Sequence, residues 1–173
     1  MIKINVTDIT NVALLGKFKQ FTRFSCSKSG LEKYLMKIVA IVGKQLVLTH
    51  KGEKDKFENS SELHYGGARG SNDLIGLDFC VVGKLTYPPN YFKFLSKVLG
   101  LECTDFTMKT QYVTYKGMSF TYTTFEDPML QLLHFEQVEG DITQVAHRGR
   151  PVRFPCIVKL YTDFPIMQAE YIY

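Results

Sequence analysis

The sequence predicts an α+β fold: one domain over residues 1–173, mainly an antiparallel β-barrel of about eight strands with two helices packed on it. Three observations predict it. The chain carries 13 Phe and 10 Tyr but no Trp, and with Val, Ile and Thr these residues favour strands. Only two segments show clear helical periodicity. Two long Thr- and Tyr-rich runs flank Lys116-Gly117, the pattern of a hairpin. A length of 173 residues suits one well-packed domain.

Asn11 to Leu15 reads as a first strand. Ser29-Gly30-Leu31-Glu32 fits a capping box, the Ser hydroxyl and the Glu carboxylate each satisfying a backbone N–H at a helix start. Leu31, Leu35, Ile38 and Val42 then line one helix face, with Tyr34 and Ile41 beside them and Lys33 and Lys37 opposite. Gly43 is a natural stop. Gln45 to Thr49 reads as a strand and Lys51 to Glu58 as an exposed, charged turn. Glu62 to Tyr65 alternates until Gly66, Gly67 and Gly70 break it. Leu74 to Leu85 reads as a buried strand kinked at Gly76.

Pro88-Pro89-Asn90 opens the second helix, because proline is tolerated in a first turn. Phe92, Leu95 and Leu99 line its apolar face and Gly100 ends it. The hairpin arms are Thr104 to Tyr115 and Met118 to Phe125, with Gly117 supplying positive φ. In the first arm Phe106, Met108, Thr110, Tyr112 and Thr114 share a face; in the second Met118, Phe120, Tyr122 and Thr124 do. Asp127-Pro128 turns the chain, Met129 to Val138 suits a strand or a short helix, and Gly140 to Pro151 reads as a loop. Phe154 to Tyr161 is the last strand, closed by Asp163-Phe164-Pro165.

Lys plus Arg number 21 against 17 Asp plus Glu, a formal charge of +4. The basic residues are spread, and the tightest cluster, Arg148, Arg150 and Arg153, reads as a solvated loop rather than a phosphate grip. Cys26, Cys80, Cys103 and Cys156 include no C-x-x-C pair and read as reduced, buried small hydrophobes. Met1 to Asn5 lacks the apolar stretch of a signal peptide, and no run reaches membrane-span length, so an intracellular protein is expected.

The catalytic motifs fail one by one. Gly76 to Gly83-Lys84-Leu85 misses the phosphate-loop spacing, and Gly66-Gly67-Ala68-Arg69-Gly70 reads as a flexible turn because no helix pattern follows. His50, His64, His134 and His147 lack zinc-ligand spacing. No G-x-S-x-G elbow is present. Tunnel-type triphosphatases, which share the expected barrel, need several carboxylates facing one lumen to hold a metal and orient water. The hairpin arms hold a single acid, Asp105, and Glu136 and Glu139 are three apart, opposite sides of a strand. The expectation is a non-enzyme with no catalytic, cofactor-binding or metal residues and no cofactor.

Phe94-Leu95, Leu99-Gly100-Leu101, the arm ending Val113-Thr114-Tyr115-Lys116-Gly117 and the return Met118 to Thr124 together resemble the Mediator complex subunit 18 family. Leu63 to Leu85, Leu14-Leu15-Gly16, the Leu31 to Ile41 helix and Phe154 to Pro165 are similar to its other segments. The short middle loop, and Tyr171-Ile172-Tyr173 where the family continues into a helix, depart from that pattern, and the resemblance is to a divergent or shortened relative. The resemblance implies a non-catalytic barrel like that of the tunnel triphosphatases. It implies a nuclear place in the Mediator head, pairing with Mediator subunit 20 and a helix of Mediator subunit 8, and acting on RNA polymerase II indirectly. Membrane contact is not expected, and nucleic acid is not the expected partner.

The aromatic row supplies the candidate contacts: Tyr112, Tyr115, Phe120, Tyr122 and Phe125. With the Phe106, Met108, Tyr112, Phe120 and Tyr122 face inward, Tyr115 and Phe125 face outward. The alternatives are a metal-dependent phosphohydrolase of the triphosphate-tunnel type and an RNA-binding barrel using its rings for stacking.

Overall fold

The computed structural model describes residues 4–7, 39–40, 42–65, 67, 70–162, 164–166 and 170–172, the first and last of these segments as backbone. The expected strand at Asn11–Leu15, most of the helix begun at Ser29, Cys26 and Asp163 lie outside the described residues. In chain order the strands are β1 (Ile4–Thr7), β2 (Val47–Thr49), β3 (Ser60–His64), β4 (Phe79–Val82), β5 (Met108–Tyr115), β6 (Met118–Phe125), β7 (Val158–Tyr161) and β8 (Glu170–Ile172). The helices are α1 (Pro89–Val98) and α2 (Pro128–Ala146). They divide between two compact units, Met1–Leu85 with Asp141–Tyr173, and Thr86–Gly140.

The first unit corrects the predicted fold class. Its sheet has the order β3-β2-β4-β7-β1-β8, and every pairing in it is parallel. It is an open sheet with β3 and β8 at its edges, not an antiparallel barrel. The physical reason lies in the central strands. Val47-Leu48 and Phe79 to Val82 are continuous apolar runs buried throughout. Strands covered on both faces read this way, whereas a barrel strand alternates.

Val42, Val47, Phe57, Cys80, Val82 and Tyr161 form one core cluster of this unit, with Val39 against it. The segment expected as an exposed turn is a 3-10 helix, Lys51–Lys56, that buries Glu53 and leads into buried Phe57. Tyr65 is buried at the end of β3, and its hydroxyl donates to the Gly83 carbonyl at 2.8 Å. Burial, reinforced by the Asp141 charge, raises its phenol well above the usual range.

The second unit contains α1, the β5–β6 hairpin and the α2 residues up to Gly140. Proline occupies the first turn of α1, and Gly100, at φ +69, lets the chain leave the helix. The hairpin turn has both central residues at positive φ, Lys116 at 48° and Gly117 at 82°. That conformation matches the strand twist of a two-residue loop.

The segment read as a strand or short helix followed by a loop is one 19-residue helix, α2. Asp127 is its cap: Oδ1 accepts from the Met129 and Leu130 N–H groups at 2.9 and 3.0 Å. Pro128 takes the first helical position. Leu130, His134, Val138, Ile142 and Val145 are buried at helical spacing. Gly140 does not stop this stripe, because it lies on the exposed side. Phe92, Phe125 and Leu130 centre the core of the second unit, with Phe106, Met108 and Leu133 around them.

Candidate functional site

The hairpin register decides where the five candidate aromatics point. A two-residue loop pairs Tyr115 with Met118, and therefore Val113 with Phe120 and Tyr112 with Thr121. Val113, Tyr115, Phe120 and Tyr122 are buried on one face, against Phe135 of α2. Phe125 is fully buried, its ring 5.1 Å from that of Phe92. Tyr112 stands on the other face, 74% exposed. The expected parity is thus reversed for Tyr112, Tyr115 and Phe125, while Phe120 and Tyr122 do point inward. Around Tyr112 the outer face is hydroxylic: Thr110 pairs with Thr123, and Thr114 with Ser119, each oxygen to oxygen at 2.8 Å.

At the hairpin tip four polar side chains meet. The Tyr115 hydroxyl lies 2.9 Å from Glu136 Oε1 and 2.7 Å from Glu139 Oε2. Lys116 Nζ reaches Glu139 Oε2 at 2.6 Å and Glu136 Oε1 at 3.3 Å. On a helix, residues three apart share a face, so α2 presents together the two carboxylates that a strand would have separated. Burial pushes the Tyr115 phenol above its ordinary range, although the hydrogen bond to Lys116 pulls the other way. Hydrogen bonds to Glu139 and then Tyr115 hold the Lys116 ammonium above its usual value. Both groups keep their protons through neutral pH, and the cluster anchors the hairpin tip to α2.

The other chemically active side chains are quieter. Cys80, Cys103 and Cys156 are free thiols. Burial pushes the Cys80 thiol up to about 11; burial also raises Cys103 and Cys156. His134 is buried, its Nδ1 3.0 Å from Thr124 Oγ1 and its ring against Phe92 and Tyr122. Among the described residues, no three His, Cys, Asp or Glu side chains are grouped to hold a metal. No described helix is long and apolar enough to cross a membrane.

The surface feature that stands apart is on α1. Phe92 and Ser96 are its buried positions. Phe94 follows Phe92 by two residues, about 200° around the helix, and so points away from the core. Phe94 is 67% exposed and Val98, one turn on, 64%; Leu99 at the helix end is also exposed. Lys93 and Lys97 are exposed along one side of this stripe. In the sequence Phe94 enters only the family-like motif, and its place opposite Phe92 in the helical period is the signal that marks it as exposed.

Comparison with known proteins finds no match: no family model, no curated protein and no solved structure shows significant similarity to this chain.

Proposed function

We propose that the protein is a non-catalytic interaction subunit whose second unit docks an amphipathic partner helix on the exposed face of α1. The observation that carries this reading is Phe94 and Val98, two large apolar side chains one turn apart on a helix face and both mostly exposed. Burying such side chains contributes about 1.5–3 kcal/mol each, and a central aromatic is the usual anchor of an interface. Lys93 and Lys97 beside the stripe favour a partner helix with an acidic edge.

Within this proposal the resemblance to Mediator subunit 18 offers one assembly, the Mediator head, with subunit 20 and a helix of subunit 8 as partners. The barrel that the resemblance implied is not the fold of the chain, so the docking surface proposed is the α1 face. The test is affinity purification of the tagged protein from cells that make it, beside the Phe94→Glu variant. Partners recovered with the parent chain and lost with the variant support the reading; recovery of RNA polymerase II and Mediator subunits among them supports that assembly. Identical recovery from both chains contradicts the docking surface.

A further inference from the structure

A second feature lies in the first unit, on the loop that follows α2. The seven residues His147 to Arg153 include three arginines and one histidine, and no Asp or Glu occurs from Ile142 to Thr162. His147, Arg150, Val152 and Arg153 line a depression of about 400 Å³.

The loop is built rather than loose. His147–Gly149 is a 3-10 turn, and the Arg150 N–H donates to the His147 carbonyl at 3.0 Å. A second turn follows at once, with the Arg153 and Phe154 N–H groups donating to the Arg150 carbonyl at 2.9 and 3.0 Å. The Gly149 carbonyl accepts from the Gly76 N–H at 3.0 Å. A Cβ on Gly149 would lie 2.8 Å from Cys156 Sγ and 3.1 Å from Phe79 Cε1, so only glycine lets the turn come this close to β4. Arg150 itself has φ +51 and ψ +51, a conformation that side chains rarely adopt.

None of Arg148, Arg150 and Arg153 forms an ion pair among the described residues. Arg150 Nη2 donates to the neutral Asn72 Oδ1 at 2.8 Å, which orients the guanidinium without cancelling its charge. Arg148, in the same turn, does not line the depression, and its Nε is buried without an acceptor among the described residues. Guanidinium groups on a fixed backbone, without an ion pair among the described residues, match the oxygens of a phosphate in fork geometry.

We propose that this depression binds the di- or triphosphate group of a small phosphorylated molecule. The cavity exceeds what a single phosphate fills, and exposed Val152 offers an apolar wall beside the charges. A nucleic-acid backbone is the less suited source of the same phosphate chemistry. It needs a basic track along the surface, whereas these cations lie within one short loop and the remaining basic residues are scattered.

Calorimetric titration with inorganic pyrophosphate tests the proposal, using the whole chain in about 0.1 M salt so that weak non-specific attraction is screened. Arg150→Gln and Arg153→Gln change exposed side chains, and an unchanged far-ultraviolet dichroism spectrum verifies their folds. The expected result is one saturable site, weakened at least about tenfold by either substitution. If Arg150→Gln alters the fold, Arg153→Gln alone decides. No saturation at about 10 mM pyrophosphate, or equal affinity in parent and variants, overturns the proposal. A parallel titration with a short single-stranded RNA separates the sources. Tighter binding of RNA than of pyrophosphate, lost steeply with salt, would assign the loop to nucleic acid and overturn the small-ligand reading.

Discussion

The Tyr115 hydroxyl and the Glu139 carboxylate are joined by a 2.7 Å hydrogen bond, which ties the end of β5 to the fourth turn of α2. Glu139 is buried and also takes Lys116 at 2.6 Å. Tyr115→Phe removes one donor from a buried carboxylate and is expected to destabilise the protein by about 1 kcal/mol. Lys116→Met, removing the partly exposed cation, is expected to cost about 1–2 kcal/mol. Urea unfolding of both variants measures this. No change in either midpoint would show that the cluster does not anchor the hairpin.

Alkaline pH reads two buried phenols, Tyr115 of this cluster and Tyr65 of the first unit. Tyr65 and Tyr115 are both raised above the ordinary phenol range, chiefly by burial. A raised folded-state value means that the proton is held more tightly folded than unfolded. The stability it contributes is complete below the unfolded value, about pH 10, and is lost as pH climbs towards the folded one. Raised Lys116 acts with the same sign. Urea midpoints are therefore expected to hold to about pH 10 and to fall above it. In ultraviolet titration at least Tyr65 and Tyr115 should ionise only as the chain unfolds. All ten tyrosines ionising together in the folded protein would contradict the burial assigned to these two.

Backbone close to the core gives a sharper test at Gly149. Gly149→Ala puts a methyl group within 2.8 Å of Cys156 Sγ and 3.1 Å of Phe79 Cε1. Overpacking of this kind is expected to cost about 1–3 kcal/mol. Gly140→Ala, on the exposed side of α2 with no atom near its Cβ, is expected instead to stabilise by up to about 1 kcal/mol. Thermal unfolding of the pair checks both signs. A stabilising Gly149→Ala would mean that the turn does not sit against β4.

Cys80 offers a chemical readout of the parallel sheet. Its thiol is pushed up to about 11 by burial in the core. Only the thiolate attacks a maleimide, so labelling of the native protein at neutral pH is expected to be at least about a hundredfold slower than that of a free cysteine. Mapping the label by mass spectrometry, before and after denaturation, measures it. Prompt labelling in the native state would place Cys80 outside the core.

Local signals were legible in the residues, and non-local ones were not. The limits of α1, with proline at its start and Gly100 past its end, follow from local sterics, as does the Lys116-Gly117 turn. Helix α2 is masked in the sequence because Asp127-Pro128 reads as a turn and Gly140 to Pro151 as a loop, although an Asp before Pro is also the sign of a capped helix. The apolar runs of β2 and β4 were read as strands, but the pairing of β4 with β7 spans most of the second half of the chain, and nothing local encodes it. Tyr112 could have been placed from the two-residue loop alone, because that loop sets the register. The Arg150–Asn72 contact, joining residues 78 apart, has no trace in either neighbourhood.

The α1 docking face is tested most directly by a photo-reactive residue placed at position 94 in cells that make the protein, with position 112 as the comparison. The account predicts a discrete adduct from position 94, mapping to an acidic-edged amphipathic helix of another protein, and none from position 112 on the hydroxylic hairpin face. Adducts from position 112 with none from position 94 would contradict it.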